Sequence, residues 1–329
     1  MVVTVVAMLT VLAALTCLDI SRGDFAIPIG QVLDVLTGGG TRPQRVIVLD
    51  VRLPRALTAI LVGLALGLAG ALTQSVLRNP LASPDILGIT AGASVGAVAL
   101  ILAGSTAVAG NALALPAAAL AGGLLTALAM YLLAWRGGVD GFRLVLIGIG
   151  VNALMVAVLS WLLVSARIAD VARAQIWLNG SLNETGWSRL GPIAAAFGVV
   201  AAIALTSVLS LRVLRLGDDT ARALGVRLQA QQAVLLLAGV TAAALATAAA
   251  GPIGFVALAA PQIARMLLRT DGEPLIGSAL LGAVLVVGAD VLARTLLPVA
   301  LPVGVVTSAL GGPFLLYLLV RTNRKADAV

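Results

Sequence analysis

From Ala56 to Leu77 the chain carries no charged residue. In a helix rising 1.5 Å per residue, a run of that length spans the roughly 30 Å hydrocarbon core of a bilayer. Arg52-Leu53-Pro54-Arg55 precedes it. The polar turn Arg78-Asn79-Pro80-Leu81-Ala82-Ser83-Pro84-Asp85 ends it, and Gly88 and Gly92 open the next apolar run. Within the run, only glycines and Thr58, Thr73, Gln74 and Ser75 interrupt the aliphatic side chains. Gly63, Gly67 and Gly70 are costly in a water-exposed helix but common where membrane helices pack closely.

Further apolar runs occur at Met1–Leu18, Ala91–Leu102, Ala112–Trp135, Leu144–Val164, Pro192–Leu211, Gln232–Ala250, Phe255–Leu268, Leu275–Leu292 and Val303–Val320. They lack the period-two alternation of barrel strands, so they read as helices. Only 11% of residues are charged and mean hydropathy is +1.11, against about 25% charged in soluble domains. The expectation is an all-α polytopic membrane protein of about ten transmembrane helices, with residues 1–329 forming one transmembrane domain. Met1–Leu18 has no Lys or Arg before Arg22. It reads as a retained helix rather than a signal peptide, which wants a basic start and a small-residue cleavage site. Ten crossings place both ends on one side. With the ends inside, the inner loops hold a thin majority of the 21 basic residues, in the sense of the positive-inside rule.

Four polar segments separate the crossings: Asp19–Asp50, with a short interfacial helix at Ile29–Leu36, then Arg136–Arg143, Arg167–Arg189 and Leu214–Arg227. In the last, Asp218 or Asp219 is placed to cap a short surface-lying amphipathic helix closed by Gly225. Histidine is absent, the one cysteine is Cys17 and the one lysine is Lys325. Imidazole metal or haem ligation, His-based catalysis and a lysine-bearing phosphate loop are therefore excluded. The net charge of +7 fits loops held at anionic lipid as well as it fits an acidic partner. Asp290 reads as the acid nearest a membrane interior, neutralised by Arg294 one helical turn on. Asn152, inside an apolar run, needs a partner or water.

Taken together, the Arg-Leu-Pro-Arg start at Arg52, its glycine-spaced helix and Arg78–Gly88 resemble the FecCD family of bacterial ABC permeases, which import iron–siderophores, haem and cobalamin. The likeness recurs at Leu144–Asn152, Leu216–Val226, Gly251–Arg265, Asp290–Arg294, Leu301–Thr307 and Gly311-Gly312-Pro313. Leu132–Leu144 and Gly180-Ser181-Leu182 look most like permeases for ferric catecholate siderophores such as ferric enterobactin. The resemblance implies a BtuC-like ABC importer permease fold and a role as the non-catalytic membrane subunit of an ATP-driven ferric siderophore importer. The implied partners are a second permease subunit, as a heterodimer, two ATPase subunits and a periplasmic or extracellular siderophore-binding protein. The implied location is the bacterial plasma (inner) membrane, in the lipid bilayer with both termini cytoplasmic. No cofactor, metal or nucleic acid is expected in this chain, since ATP and Mg²⁺ would sit on the ATPases. A haem or cobalamin permease of the same family is the nearest alternative. An ion-coupled secondary transporter would need mid-membrane titratable groups, in which this chain is poor.

Carried over residue by residue, the resemblance places binding-protein docking at Arg52, Arg55 and Arg294, where the competing reading is helix ends anchored by snorkelling. ATPase coupling falls on Leu216, Gly217, Asp218, Asp219, Thr220, Ala221, Arg222, Leu224 and Gly225. The cytoplasmic gate falls on Asn79, Pro80, Leu81, Gly141 and Phe142, residues that plain turn chemistry also explains. Gln74, Gly148 and Asn152 are candidates for the pathway wall. Where the family usually has Pro-His, this chain has Pro261-Gln262, which hydrogen-bonds but does not titrate.

Overall fold

A computed structural model describes residues 2–23, 25–104, 111–135, 141–183, 185–214, 217–272, 274–295 and 300–326. The described helices are α1 (Val2–Ser21), α2 (Ile29–Leu36), α3 (Arg42–Leu77), α4 (Ile89–Leu102), α5 (Ala114–Ala134), α6 (Gly141–Val164) and α7 (Ile168–Leu178). They continue as α8 (Trp187–Thr206), α9 (Val208–Leu214), α10 (Asp218–Ala223), α11 (Leu228–Ala250), α12 (Val256–Leu268), α13 (Leu275–Thr295) and α14 (Val303–Ala326). Among the described residues, α1, α3, α5, α6, α8, α11 and α13 are long and apolar enough to cross a membrane, and the shorter α4, α12 and α14 bring the apolar helices to ten.

Burial sorts these helices into a centre and a rim. The apolar windows of α3, α11 and α13 are 78%, 72% and 61% buried, whereas those of α1 and α6 are each 17% buried. α3 is the hub, packed on α13, α11 and α12, while α1 lies outside α13 and the α4–α5 pair lies against α11 and α6. The glycines do what their spacing suggested. A Cβ on Gly63 would strike the backbone of Gly282 and Ala283, one on Gly67 the Ser278 carbonyl, and one on Gly70 the Ala257 carbonyl. α3 therefore meets α13 and α12 backbone to backbone, a close approach that only small residues permit.

Several polar segments are more helical than their composition suggested. α3 starts at Arg42, inside the first polar segment, and Val46–Arg52 winds as a π-helix before the α-helix resumes at Leu53. Ile168–Leu178 is also helical. The sixth apolar run, by contrast, breaks at Ser207 into α8 and α9.

The deepest departure is the turn after α3. It is an elbow that climbs into the bundle rather than a surface loop. Gly88 sits against the backbone of Asn152, and Gly148 against Leu87. Asn152 lies about 16 Å along α6 from its first residue, so the elbow reaches mid-depth and α4 begins there. Irregular backbone is tolerated at that depth only where protein or a cavity satisfies it. Here Ala82 N–H donates to the Asn79 carbonyl, Leu87 N–H to Ser83, Gly88 N–H to Asp85 and Ile89 N–H to Pro84. Asp85 is thereby carried into the bundle, whereas Asp290, near the end of α13, is fully buried.

Because the Gly67–Ser278 approach leaves no room for a methyl group, Gly67→Ala is expected to lower stability by about 1–3 kcal/mol. Gly198→Ala, where an added Cβ meets nothing within 4 Å, is expected to be neutral or slightly stabilising. Thermal unfolding of both variants in detergent checks the contrast.

Candidate functional site

Sequence-marked residues gather at two opposite ends of the bundle, with a cavity between. At the end where α3 finishes, Arg78 adopts a left-handed backbone (φ 49°) and closes the helix, its N–H bonding to the Gln74 carbonyl. Asn79 Oδ1 accepts the Leu81 N–H at 2.9 Å, which tightens the turn. Gly141, the first residue of α6, lies against the Leu77 carbonyl, which an added Cβ would approach to 3.1 Å. The candidate gate residues Asn79, Pro80, Leu81 and Gly141 thus come together, with Phe142 beside them and exposed.

The candidate coupling segment lies next to these residues. Arg78 Nη2 donates to the Leu214 carbonyl at 2.7 Å, so the residue that ends α3 grips the last residue of α9. α10 follows. Its N-cap is Gly217 (φ 103°), without a side-chain cap bond, which corrects the expected Asp218 or Asp219 cap. Asp219 instead occupies the first turn, at the positive end of the helix dipole. Asp219 pairs with Arg222 at 3.2 Å, and both are exposed. Gly225 (φ 81°) closes the helix as expected, with Val226 N–H reaching back to Ala221 and Gly225 N–H to Arg222. Ala221 is fully buried while Thr220 and Leu224 face outward, so one side of the helix is seated and the other offered. Leu216 lies outside the described residues, and of Asp218 only the backbone is described.

The opposite end holds the candidate docking arginines, and none of the three is a simple surface cation. Arg52 is 7% exposed. Its guanidinium donates to the carbonyls of Ile20 and Phe25, tying the end of α1 and the chain after it to the π-helical stretch of α3. Arg55 makes a two-pronged contact with Asp290, 2.8 and 2.7 Å, and also reaches Asn183. Arg294 bonds Asp19 and lies 3.3 Å from Asp290. Asp19 and Asp290 are almost fully buried, whereas the Arg55 and Arg294 side chains each keep 14% exposure. Two carboxylates and two guanidiniums make a neutral cluster that pins α1, α3 and α13 together. Of the three, Arg55 and Arg294 keep a face toward the outside.

Between the two ends lies a cavity of about 700 Å³. Its walls come from the elbow (Ser83, Asp85, Ile86), α4 (Thr90), α12 (Leu258), α14 (Val305, Ser308, Leu315) and a crossing of three irregular segments. In that crossing Ser181 N–H donates to Ala250 and Gly304 N–H to Gly180. A Cβ on Gly180 would hit the Pro252 carbonyl, and one on Gly304 the Asn179 carbonyl. The sequence signals for these walls were the Gly180-Ser181-Leu182, Gly251-Pro252-Ile253-Gly254 and Pro302-Val303-Gly304 motifs, which were quoted for the resemblance but assigned no role. The candidate pathway residues stand elsewhere. Gln74 is 1% exposed and bonded to α12, Gly148 packs on Leu87, and Asn152 backs Gly88.

Comparison with known proteins sets these sites in a family. The chain is 43% identical over 305 residues to the "Ferric enterobactin transport system permease protein FepG" of Escherichia coli K12, covering 92% of this chain and 91% of that one. It is 39% identical over 300 residues, 89% of each chain, to the "Iron(3+)-hydroxamate import system permease protein FhuG" of Bacillus subtilis. A solved metal-chelate type ABC transporter in an inward-facing conformation superposes with a TM-score of 0.82 at 27% identity, covering 96% of this chain and 98% of that one. The model of the FecCD transport family matches residues 11–321, nearly the whole of this ten-crossing bundle, and the chain belongs to that family.

Proposed function

We propose that this multi-pass membrane protein is the permease subunit of an ATP-driven importer of a ferric siderophore, forming the pathway with a second, related permease chain. The relatives named for ferric enterobactin and iron(3+)-hydroxamate, and the metal-chelate transporter of the same fold, support that cargo class. The chain supplies no catalytic group. ATP and Mg²⁺ belong to two ATPase subunits, which dock from the cytoplasm on Gly217–Gly225 and Leu216, and a siderophore-binding protein docks on the outer face. Both termini are then cytoplasmic in the bacterial plasma membrane.

The observation that carries the mechanism is the Arg78–Leu214 hydrogen bond. It joins the ATPase-facing segment to the elbow bearing Asn79, Pro80 and Leu81. A push on α10 reaches the inner gate through one charge-assisted contact, with no need for a change along α3. On the outer face, docking falls to Arg55 and Arg294, which keep exposure, while Arg52 holds the chain around Ile20 and Phe25 against α3. Acidic groups on the binding protein would compete there with Asp19 and Asp290, and such contacts govern on-rate and salt sensitivity more than affinity.

Proteoliposomes holding this chain, its partner permease and the ATPases are expected to take up radio-iron-loaded siderophore only with ATP and binding protein. Uphill uptake into vesicles holding this chain alone, without nucleotide, would end the reading. Gly225→Val forces a side chain onto φ 81°, at a cost of about 1–2 kcal/mol, and is expected to cut cargo-stimulated ATP hydrolysis about tenfold. Arg78→Ala is expected to spare hydrolysis but lower siderophore taken up per ATP consumed. Arg55→Gln and Arg294→Gln are expected to slow binding-protein association and flatten its salt dependence. Unchanged association kinetics in variants that still assemble would count against docking at these residues.

A further inference from the structure

The elbow is fastened to α12 at two levels, and the lower fastening is a side chain to which no role has been given. At the upper level, Asp85 faces the Phe255 N–H at the start of α12 and accepts the Thr90 hydroxyl at the start of α4. At the lower level, Gln262, 4% exposed on α12, donates through Nε2 to the Pro80 carbonyl at 2.9 Å and to Gln74 Oε1 at 2.7 Å. Its Oε1 accepts from Arg265 at 2.9 Å. Gln74 in turn donates to the Leu258 carbonyl at 3.2 Å. One side chain thus joins α3, α12 and the tip of the elbow.

This junction needs two donors and one acceptor from a single group. A primary amide has them. A neutral imidazole has one N–H and an imidazolium has no acceptor, so histidine at 262 would leave one of the three bonds unmade. α12 is also bounded by breaks, with Phe255 (φ 67°) before it and Arg269 (φ 52°) after it, both left-handed without being glycine. The helix is therefore a short rod between two swivel points. It carries the elbow on one side and cavity residues Phe255 and Leu258 on the other.

We propose that Gln262 is a gate-positioning residue: its amide holds Pro80 on α12, so that the elbow and α12 move as one unit and the inner gate follows the cavity wall. The inference rests on the reading of Asn79–Leu81 as the cytoplasmic gate. Its effect is mechanical, and Gln262 touches no cargo.

The test uses the complete complex in lipid nanodiscs, with Cys17→Ser and a reporter thiol from Leu81→Cys, a position 41% exposed in this chain. A membrane-impermeant maleimide reads its reactivity without nucleotide and with ATP. Losing the bond to Pro80 is expected to raise nucleotide-free labelling about tenfold in Gln262→Leu, and equally in the isosteric Gln262→Glu, which keeps the Arg265 contact but loses both amide donors. Gln74→Met removes the α3–α12 bond and spares the one to Pro80, so it is expected to change labelling less than twofold. The proposal is overturned if both Gln262 variants label like the parent, or if Gln74→Met raises labelling as much as they do. If the parent thiol labels equally with and without ATP, the gate reading itself fails and the latch with it. A parent that responds to ATP while the Gln262 variants match it leaves the gate standing and removes only the latch.

Discussion

Backbone polar groups inside a bilayer must find partners within the protein, and the arrangement around the elbow follows from that demand. Arg78 to Gly88 leaves helical geometry as it climbs from the end of the bundle to mid-depth, where Ala82–Pro84 and Leu87–Gly88 are buried away from water. Its carbonyls and amides are met partly by its own turns and partly by α12, where Gln262 donates to the Pro80 carbonyl. The cavity opens on the flank the elbow does not fill. A continuous helix from Leu77 onward would have needed none of these contacts.

The outer end solves a related problem with charge. A buried carboxylate without a partner costs several kcal/mol, and Asp19 and Asp290 avoid that by sharing Arg55 and Arg294. The same arginines are the residues with a remaining face to the exterior. Under the proposed docking role, holding the rim together and receiving an acidic partner would not be separate tasks for them. Any carboxylate that arrives must compete with one already in place, which makes the contact exchangeable and sensitive to salt.

Much of this could be read from residues in order. The ten crossings, the glycine contacts of α3, the Ile29–Leu36 helix and the Gly225 helix end all depend on local pattern, and local pattern carried them. What escaped were features that depend on depth or on distant partners. A Pro- and Asp-bearing turn has the same composition at a surface as at mid-membrane, so only the Gly88–Asn152 approach reveals where Asp85 sits. The Arg294–Asp290 pair was visible one turn apart, but the stronger claim of Arg55 on Asp290 spans most of the chain. Arg52 looked like a rim cation because the π-helical stretch that turns it inward leaves no mark in hydropathy. The polar segment before α3 hid a helix start for the same reason: its outward residues are charged although its backbone is regular.

The glycine contact between α3 and α13 has one more consequence. Two helices touching backbone to backbone along Gly63, Gly67 and Gly282 have no side-chain cushion that could shear. They act as a stiff keel, and whatever deformation the working cycle demands must be absorbed by the shorter pieces slung around it.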